Sequence, residues 1–213
     1  MQESPSITIE SNYLSHHSNI SGTDEVGRGP LAGPVVAATV MASGTLDSSE
    51  FTQLLEHLRA IGVTDSKRLS AKRRKTILEQ MQLTPETVKV GQNMTLLRES
   101  NFQLDYAVAE IPPLIIDKIN ILNAALTAMS HSYNLCWQAK QEMQPMSNQM
   151  AILLVDGQYP PPDIPPTTKI YPIIGGDHKS TLIALASIIA KEYRDHLMSE
   201  MDRLYPGYGF SKH

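Results

Sequence analysis

Between Gly22 and Pro34 the chain reads Gly22-Thr23-Asp24-Glu25-Val26-Gly27-Arg28-Gly29-Pro30-Leu31-Ala32-Gly33-Pro34, and a run of β-formers, Val35-Val36-Ala37-Ala38-Thr39-Val40, follows directly. A glycine- and proline-rich turn between apolar segments predicts strands over 20–27 and 34–41, paired antiparallel. Two adjacent acids at the end of the first strand are the donors a hard divalent cation takes. A Gly-Arg-Gly turn lets backbone amides approach a phosphate or a sugar closely. Together they point to metal-assisted chemistry on a phosphodiester. Neighbouring strand residues face opposite sides, so bringing both acids to one centre requires a twist or bulge, which Gly27 and Gly29 permit.

The remainder reads as alternating strands and helices, the pattern of an α/β sheet with helical cover. Residues 1–18 read as a loose polar extension and 19–213 as one catalytic domain. Phe51, Leu54, Leu55 and Leu58 set a helix over 50–60, and Ser70 caps another over 71–82. Strands are expected over 86–92 and 103–111. A helix is expected over 117–140, with Ile119, Leu122, Leu126, Met129 and Tyr133 on its apolar stripe. Ala151 to Val155 is fully apolar and reads as a buried central strand ending at Asp156-Gly157. A Pro-rich loop follows. Lys169 to Ile174 forms a strand that meets Gly175-Gly176-Asp177, and a second long helix spans 180–204.

Three strand ends therefore offer four acids: Asp24, Glu25, Asp156 and Asp177. Each has an ordinary structural alternative. An acid pair can sit solvated at a turn, Asp-Gly is a common turn opener, and an acid before a helix suits its dipole. Taken together, four carboxylates form an all-oxygen set that selects Mg²⁺ or Mn²⁺. Two such ions about 3.5–4 Å apart can activate a water and stabilise a leaving oxygen. Gly175 to Thr181 lacks the glycine that a Walker loop needs before its lysine, and Gly27-x-Gly29-x-x-x-Gly33 lacks dinucleotide spacing. The cationic segment Lys67, Arg68, Lys72, Arg73, Arg74 and Lys75 reads equally as a solvated face or a phosphate track. Lys67, in the Asp65-Ser66-Lys67 loop, is the best candidate for a specific contact.

The bulk numbers exclude several classes. With 213 residues, 41% hydrophobic and 19% charged, the chain suits one globular domain. A net charge of −4 argues against a bulk nucleic-acid coat, though not against a local basic surface. The single Cys136 excludes an internal disulfide or a cysteine zinc cluster and suits a reducing cytoplasm, where it reads as a core thiol on a helix. The N-terminus lacks an export signal, and no stretch approaches a membrane span.

These residues resemble the bacterial type 2 ribonuclease H (ribonuclease HII) family. The resemblance rests on Gly22-x-Asp24-Glu25-Val26-Gly27-Arg28-Gly29-Pro30-Leu31-Ala32-Gly33-Pro34-Val35-Val36, Asp65-Ser66-Lys67-x-Leu69-Ser70 and Ile116-Asp117-x-Ile119-Asn120-Ile121. It continues through Val155-Asp156-Gly157, Gly176-Asp177, Ala186-Ser187-Ile188-Ile189-Ala190-Lys191 and Arg194-Asp195 to Tyr205-Pro206-x-Tyr208-Gly209-Phe210-x-Lys212-His213. It implies a ribonuclease H-like fold, a mixed central sheet flanked by helices. It implies Mg²⁺- or Mn²⁺-dependent cleavage of the RNA strand of RNA–DNA hybrids and at ribonucleotides embedded in duplex DNA, leaving 5′-phosphates. The implied partners are those nucleic acids, with no membrane, and a monomer is expected. Metal binding and catalysis fall on Asp24, Glu25, Asp156 and Asp177. Gly27, Arg28 and Gly29 would sense the ribose 2′-hydroxyl, and Lys67, Lys179 and Lys191 would contact phosphates. Family members continue past the final Lys-His with Lys-Gly-Tyr-Gly-Thr and a helical tail. The resemblance therefore implies a missing C-terminal segment, with a catalytically weak hybrid-binding protein as the alternative. A metal-dependent phosphatase for a small substrate is a third class, disfavoured by the Gly-Arg-Gly turn and the cationic segment.

Overall fold

A six-stranded sheet runs through the middle of the protein in the order β3-β4-β2-β1-β5-β6. The computed structural model describes residues 8–14, 19–46, 49–143 and 150–213. In chain order the elements are α1 (Thr8–Leu14), β1 (Asn19–Val26), β2 (Val35–Gly44), α2 (Ser49–Ala60), α3 (Ala71–Gln80), β3 (Asn93–Arg98) and β4 (Phe102–Ile111). They continue with α4 (Pro113–Ile119), α5 (Ile121–Met143), β5 (Ala151–Asp156), β6 (Thr168–Ile173) and α6 (Thr181–Leu204). β1 pairs antiparallel with β2 and parallel with β5, and β5 pairs parallel with β6. The sheet is mixed and flanked by helices, the ribonuclease H-like α/β arrangement expected from the sequence.

Period-two alternation sorts the strands onto two cores. Ile20, Val36, Ala38, Ile152 and Leu154 face α6 together with α2 and α3. Val35, Ala37, Met41, Leu153 and Val155 face α5, which buries Ala128, Met129, Tyr133 and Cys136 against them. α6 lies close on β1 because Gly22 has no side chain. A Cβ there would stand 2.3 Å from the Ile183 nitrogen and 2.8 Å from the Leu182 Cβ. Cys136 is the buried helical thiol expected, and burial pushes it well up.

Four expectations need correction. Residues 86–92 do not form a strand. Pro85 to Thr87 make a 3-10 turn, with the Thr84 amide donating to the Thr87 hydroxyl at 3.1 Å. Only an isolated bridge from Val90 to Val108 remains of that expectation, and β3 starts at Asn93. The helix over 117–140 is divided at Asn120, whose φ of +67° ends α4 and whose Oδ1 accepts from the Asn123 amide at 3.0 Å to start α5. Ile119 thus belongs to α4 rather than to the long helix. Residues 8–14 of the expected loose extension form α1, which docks on the domain; residues 1–7 and 15–18 lie outside the described residues. Finally, Arg74 is not part of a solvated cationic face. It is 6% exposed and donates to Glu192 Oε1 at 2.6 Å, Asp195 Oδ2 at 3.0 Å and the Leu69 carbonyl at 2.8 Å.

Candidate active site

The parallel ladder between β1 and β5 ends at Thr23 and Val155, so Asp24 and Asp156 are the next residue on each strand. The chain leaves β1 toward β2 on one side, while β5 leads to β6 on the other. Carboxyl ends of parallel strands at such a divergence are where open α/β sheets place their ligands. β6 ends at Ile173, level with Asp156. Gly175, at φ +63°, then turns the chain so that the Gly176 amide donates to Asp156 Oδ1 at 2.7 Å. A Cβ on Gly176 would stand 2.7 Å from Ile183 Cδ1, so any side chain there would have to push the end of Ile183 aside. Asp177 follows, buried at 6% exposure.

Asp24, 4% exposed, belongs to the α6 side of β1, where Ser187 hydrogen-bonds its carboxylate. Ser187 in turn shares a 2.8 Å hydrogen bond with Ser66. Of the twist or bulge expected here, there is no bulge: β1 stays in register with β2 through Asp24↔Ala38, Glu25↔Ala37 and Val26↔Val36. The Glu25 amide donates to Asp24 Oδ1 at 2.7 Å, and its carboxylate takes Arg28 Nη1 at 3.1 Å.

Asp24 lies within electrostatic reach of Glu25, Asp156 and Asp177, and Asp156 within reach of Glu25 and Asp177. Burial pushes Asp24 well above the carboxylate range, and Glu25, Asp156 and Asp177 push it further against the Ser187 hydrogen bond. Burial also raises Glu25, opposed by Arg28 and helped by Asp156. Asp177 is pushed up to about 6 by burial, then by Asp156 and Asp65. Lys67 responds in the complementary sense. Burial pulls it down, but Asp24, Asp177, Asp65 and Asp156 outweigh that and leave it raised. A set of carboxylates that repel one another around a hard-oxygen site fits a divalent cation, whose charge would relieve the repulsion.

Asp65 and His178 were not among the expected ligands. Asp65 accepts from the Lys67 amide at 2.8 Å, and His178 Nε2 lies 3.4 Å from Asp65 Oδ2 and 4.0 Å from Asp177 Oδ1. Among the described residues, the trio whose ligand atoms all lie within 4.8 Å of one another is Asp65, Asp177 and His178, not three of the four expected acids. An acid two residues before a lone loop lysine, and a histidine beside Asp177, are the signals that could have found them.

A cleft of about 540 Å³ runs past Glu25, Gly27–Gly29, Lys67, Ser187 and Lys191. Arg194, 1% exposed, holds its wall by donating to the carbonyls of Pro34 at 3.0 Å and Ala32 at 2.9 Å. The structure thus brings Glu25, Gly27, Arg28, Gly29, Lys67 and Lys191 to one opening, with Asp24 held by Ser187 of its lining. Lys191 is engaged by Asp195 at 2.6 Å. Lys179 is not among the cleft's lining residues. It is exposed, and its Nζ donates to the Ile174 carbonyl at 2.9 Å.

Known proteins resemble this chain over most of its length. The family model described as ribonuclease HII matches residues 21–213. Ribonuclease HII of Limosilactobacillus fermentum is 40% identical over 195 residues, which span 91% of this chain and 59% of that protein. Ribonuclease HII of Chlamydia pneumoniae is 38% identical over 197 residues, 92% of this chain and 72% of that protein. Among solved structures, Archaeoglobus fulgidus ribonuclease HII in complex with PCNA superposes with a TM-score of 0.55 at 24% identity, over 89% of this chain and 78% of that one. Bst ribonuclease HIII in complex with Mn²⁺ gives 0.60 at 18% identity, over 91% of this chain and 57% of that one. These two structures share the fold.

Proposed function

The chain belongs to the ribonuclease HII family, and from that premise we propose that it is an endonuclease for the RNA strand of RNA–DNA hybrids. We extend the proposal to single ribonucleotides embedded in duplex DNA. The observation that carries it is the meeting of Asp24 and Asp156 at the ends of adjacent parallel strands, beside a glycine-rich turn that opens on a cleft.

In this reading Asp24, Glu25, Asp156 and Asp177 hold Mg²⁺ or Mn²⁺. When bound, such ions would supply an activated water and stabilise the leaving oxygen of an in-line displacement. The chain's own residues do the rest. The backbone of Gly27–Gly29 approaches the ribose, where a 2′-hydroxyl distinguishes RNA from DNA. Arg28 stays tied to Glu25 and keeps the turn against the acids. Lys67 and Lys191 line the cleft where phosphates would pass, with Lys179 on the exposed turn beyond Asp177. Ser187 and the Gly176 amide fix the orientation of Asp24 and Asp156. Asp65 and His178 brace Asp177 and the Lys67 loop from the other side. A monomer acting in the cytoplasm is part of the proposal. Among the described residues, no helix is long and apolar enough to cross a membrane.

The test is incubation with an RNA–DNA hybrid and with a duplex carrying one ribonucleotide, with chelator or with added Mg²⁺ or Mn²⁺. Cuts confined to the ribonucleotide strand and dependent on metal are expected. Binding without cutting would favour a hybrid-binding module, and metal-dependent release of phosphate from small esters alone would favour a phosphatase.

A further inference from the structure

Among the described residues, the most heavily buried acid outside the site lies in the segment that the sequence reads as a loose extension. Glu10 of α1 has no solvent exposure. Its Oε1 accepts from the Ser180 hydroxyl at 2.7 Å and from the Leu182 amide at 3.1 Å. The Ser180 hydroxyl itself accepts from the Ile183 amide at 3.1 Å. Two of the donors left open at the start of α6 are thus satisfied by Glu10 and Ser180 acting as one cap. Glu10 Oε2 is buried without a hydrogen-bond partner. Burial raises the Glu10 carboxyl, against the hydrogen bonds from Ser180 and Leu182. Holding a carboxyl in the interior is costly except where hydrogen bonds such as those from Ser180 and Leu182 offset its desolvation.

The joint it caps connects both halves of the acid set. Upstream, the Ser180 amide bonds the Gly176 carbonyl at 2.8 Å, and Gly176 is the residue whose amide holds Asp156 and which precedes Asp177. Downstream, Leu182 and Ile183 sit against Gly22, two residues before Asp24 on β1. A shift in the first turn of α6 therefore moves Asp177 and Asp24 relative to one another. α1 has a second, separate anchor, the Tyr13 ring 4.8 Å from Tyr171 on β6.

We propose that Glu10 is a positioning residue for the active site: it fixes the first turn of α6 and so sets the spacing of Asp177 and Asp24. This rests on the nuclease reading above, and α1 lies outside the residues 21–213 that the family model matches. Glu10 touches neither substrate nor metal. It acts through Ser180 and Leu182.

The experiment compares wild type with Glu10→Ala, Glu10→Gln, Glu10→Asp and Tyr13→Ala in the full chain. Mn²⁺ is the probe, and two readouts are taken: the Mn²⁺ concentration giving half of the thermal shift, and that giving half of the maximal cleavage rate on an RNA–DNA hybrid. Supporting groups behind a metal site alter affinity by about 10–100-fold when removed, so Glu10→Ala is expected to raise both midpoints about tenfold. Glu10→Gln keeps an acceptor oxygen and is expected to restore them. Tyr13→Ala loosens α1 at the other anchor and is expected to lower Tm while leaving both midpoints in place. If Glu10→Ala does not fold, Glu10→Asp, one methylene short of the same donors, is read in the same way. A lowered Tm with unchanged Mn²⁺ midpoints in the folded Ala or Asp variant would overturn the proposal and reduce α1 to a stabilising clasp. A wild type that shows the Mn²⁺ thermal shift but cuts no hybrid would refute the nuclease reading, while the thermal midpoint still decides the role of Glu10.

Discussion

Asp24 and Asp156 each stand one residue beyond the last pair of the β1–β5 ladder, Thr23 and Val155. Parallel pairing fixes their level to within one residue, so the two carboxylates arrive together without any loop having to aim them. Asp177 needs a turn, and that turn is fastened back to Asp156 through the Gly176 amide. The site is therefore rigid on the sheet side and depends on the α6 joint for its third carboxylate.

Asp156→Asn tests the sheet side. The amide oxygen can still accept from Gly176, so the turn should stay in place. The substitution removes a charge that raises Asp24, Glu25 and Asp177. Tm should hold or rise slightly, while single-turnover cleavage of a hybrid falls by roughly 10²–10³-fold or more, the scale on which lost transition-state electrostatics are felt. Cleavage retained at wild-type rate would remove Asp156 from the chemistry.

Much of this site was legible locally. β2 and β5 announce themselves as apolar runs and β1 and β6 by the glycines that follow them, and the four acids lie at or just past the ends of β1, β5 and β6. What was not legible depends on partners far away in sequence. Arg74 looks like one more cation on an exposed helix until Glu192 and Asp195 arrive, 118 and 121 residues later. Glu10 looks solvated until Ser180 meets it across 170 residues. The break at Asn120 was hidden for another reason. The apolar spacing runs on through it, and only a positive φ at Asn120 together with its side-chain cap on the next turn divides the helix.

The two glycines of the Gly-Arg-Gly turn should separate fold from function. Gly27 has φ +103°, and a Cβ there would stand 2.6 Å from Arg194 Nε and 2.7 Å from the Pro34 carbonyl oxygen. Gly27→Ala should therefore cost about 1–3 kcal/mol of stability. At Gly29 an added Cβ meets nothing within 4 Å. Gly29→Ala should leave stability within about 0.5 kcal/mol. Its methyl group would nevertheless enter the cleft, and a substrate displaced by about 1 Å can lose up to roughly 10²-fold in rate. Chemical denaturation and kinetics on one hybrid check both halves. A Gly29→Ala enzyme with full kcat/KM would mean that the backbone there does not approach substrate.

Lys67 should act on phosphate rather than on the fold. It sits among Asp24, Asp177, Asp65 and Asp156, which hold its ammonium charged. Lys67→Met keeps most of the stem and removes the charge. Measured in an Asp156→Asn background, so that the duplex survives, hybrid affinity should fall and the slope of log K against log salt should drop by about 1. An unchanged slope would place Lys67 off the phosphate track.

Asp177 should make the metal-free protein less stable as pH rises. Its carboxyl is raised from 3.8 to about 6, chiefly by burial and then by Asp156 and Asp65. A group whose pKa is higher in the folded state binds its proton more tightly there, so its contribution to stability is present below the unfolded pKa and is lost as pH climbs through about 6. Asp177→Asn cannot ionise. In chelator the variant should match wild type near pH 4 and exceed it at pH 7.5, by at most about 3 kcal/mol for a shift of this size. Saturating Mg²⁺ or Mn²⁺ should reverse the order at pH 7.5, because wild type alone then has the charge that a cation favours. Denaturant midpoints for the two proteins, at pH 4 and 7.5 and with and without metal, carry the test. Parallel curves at both pH values would mean that the Asp177 carboxyl ionises as readily in the fold as in the open chain.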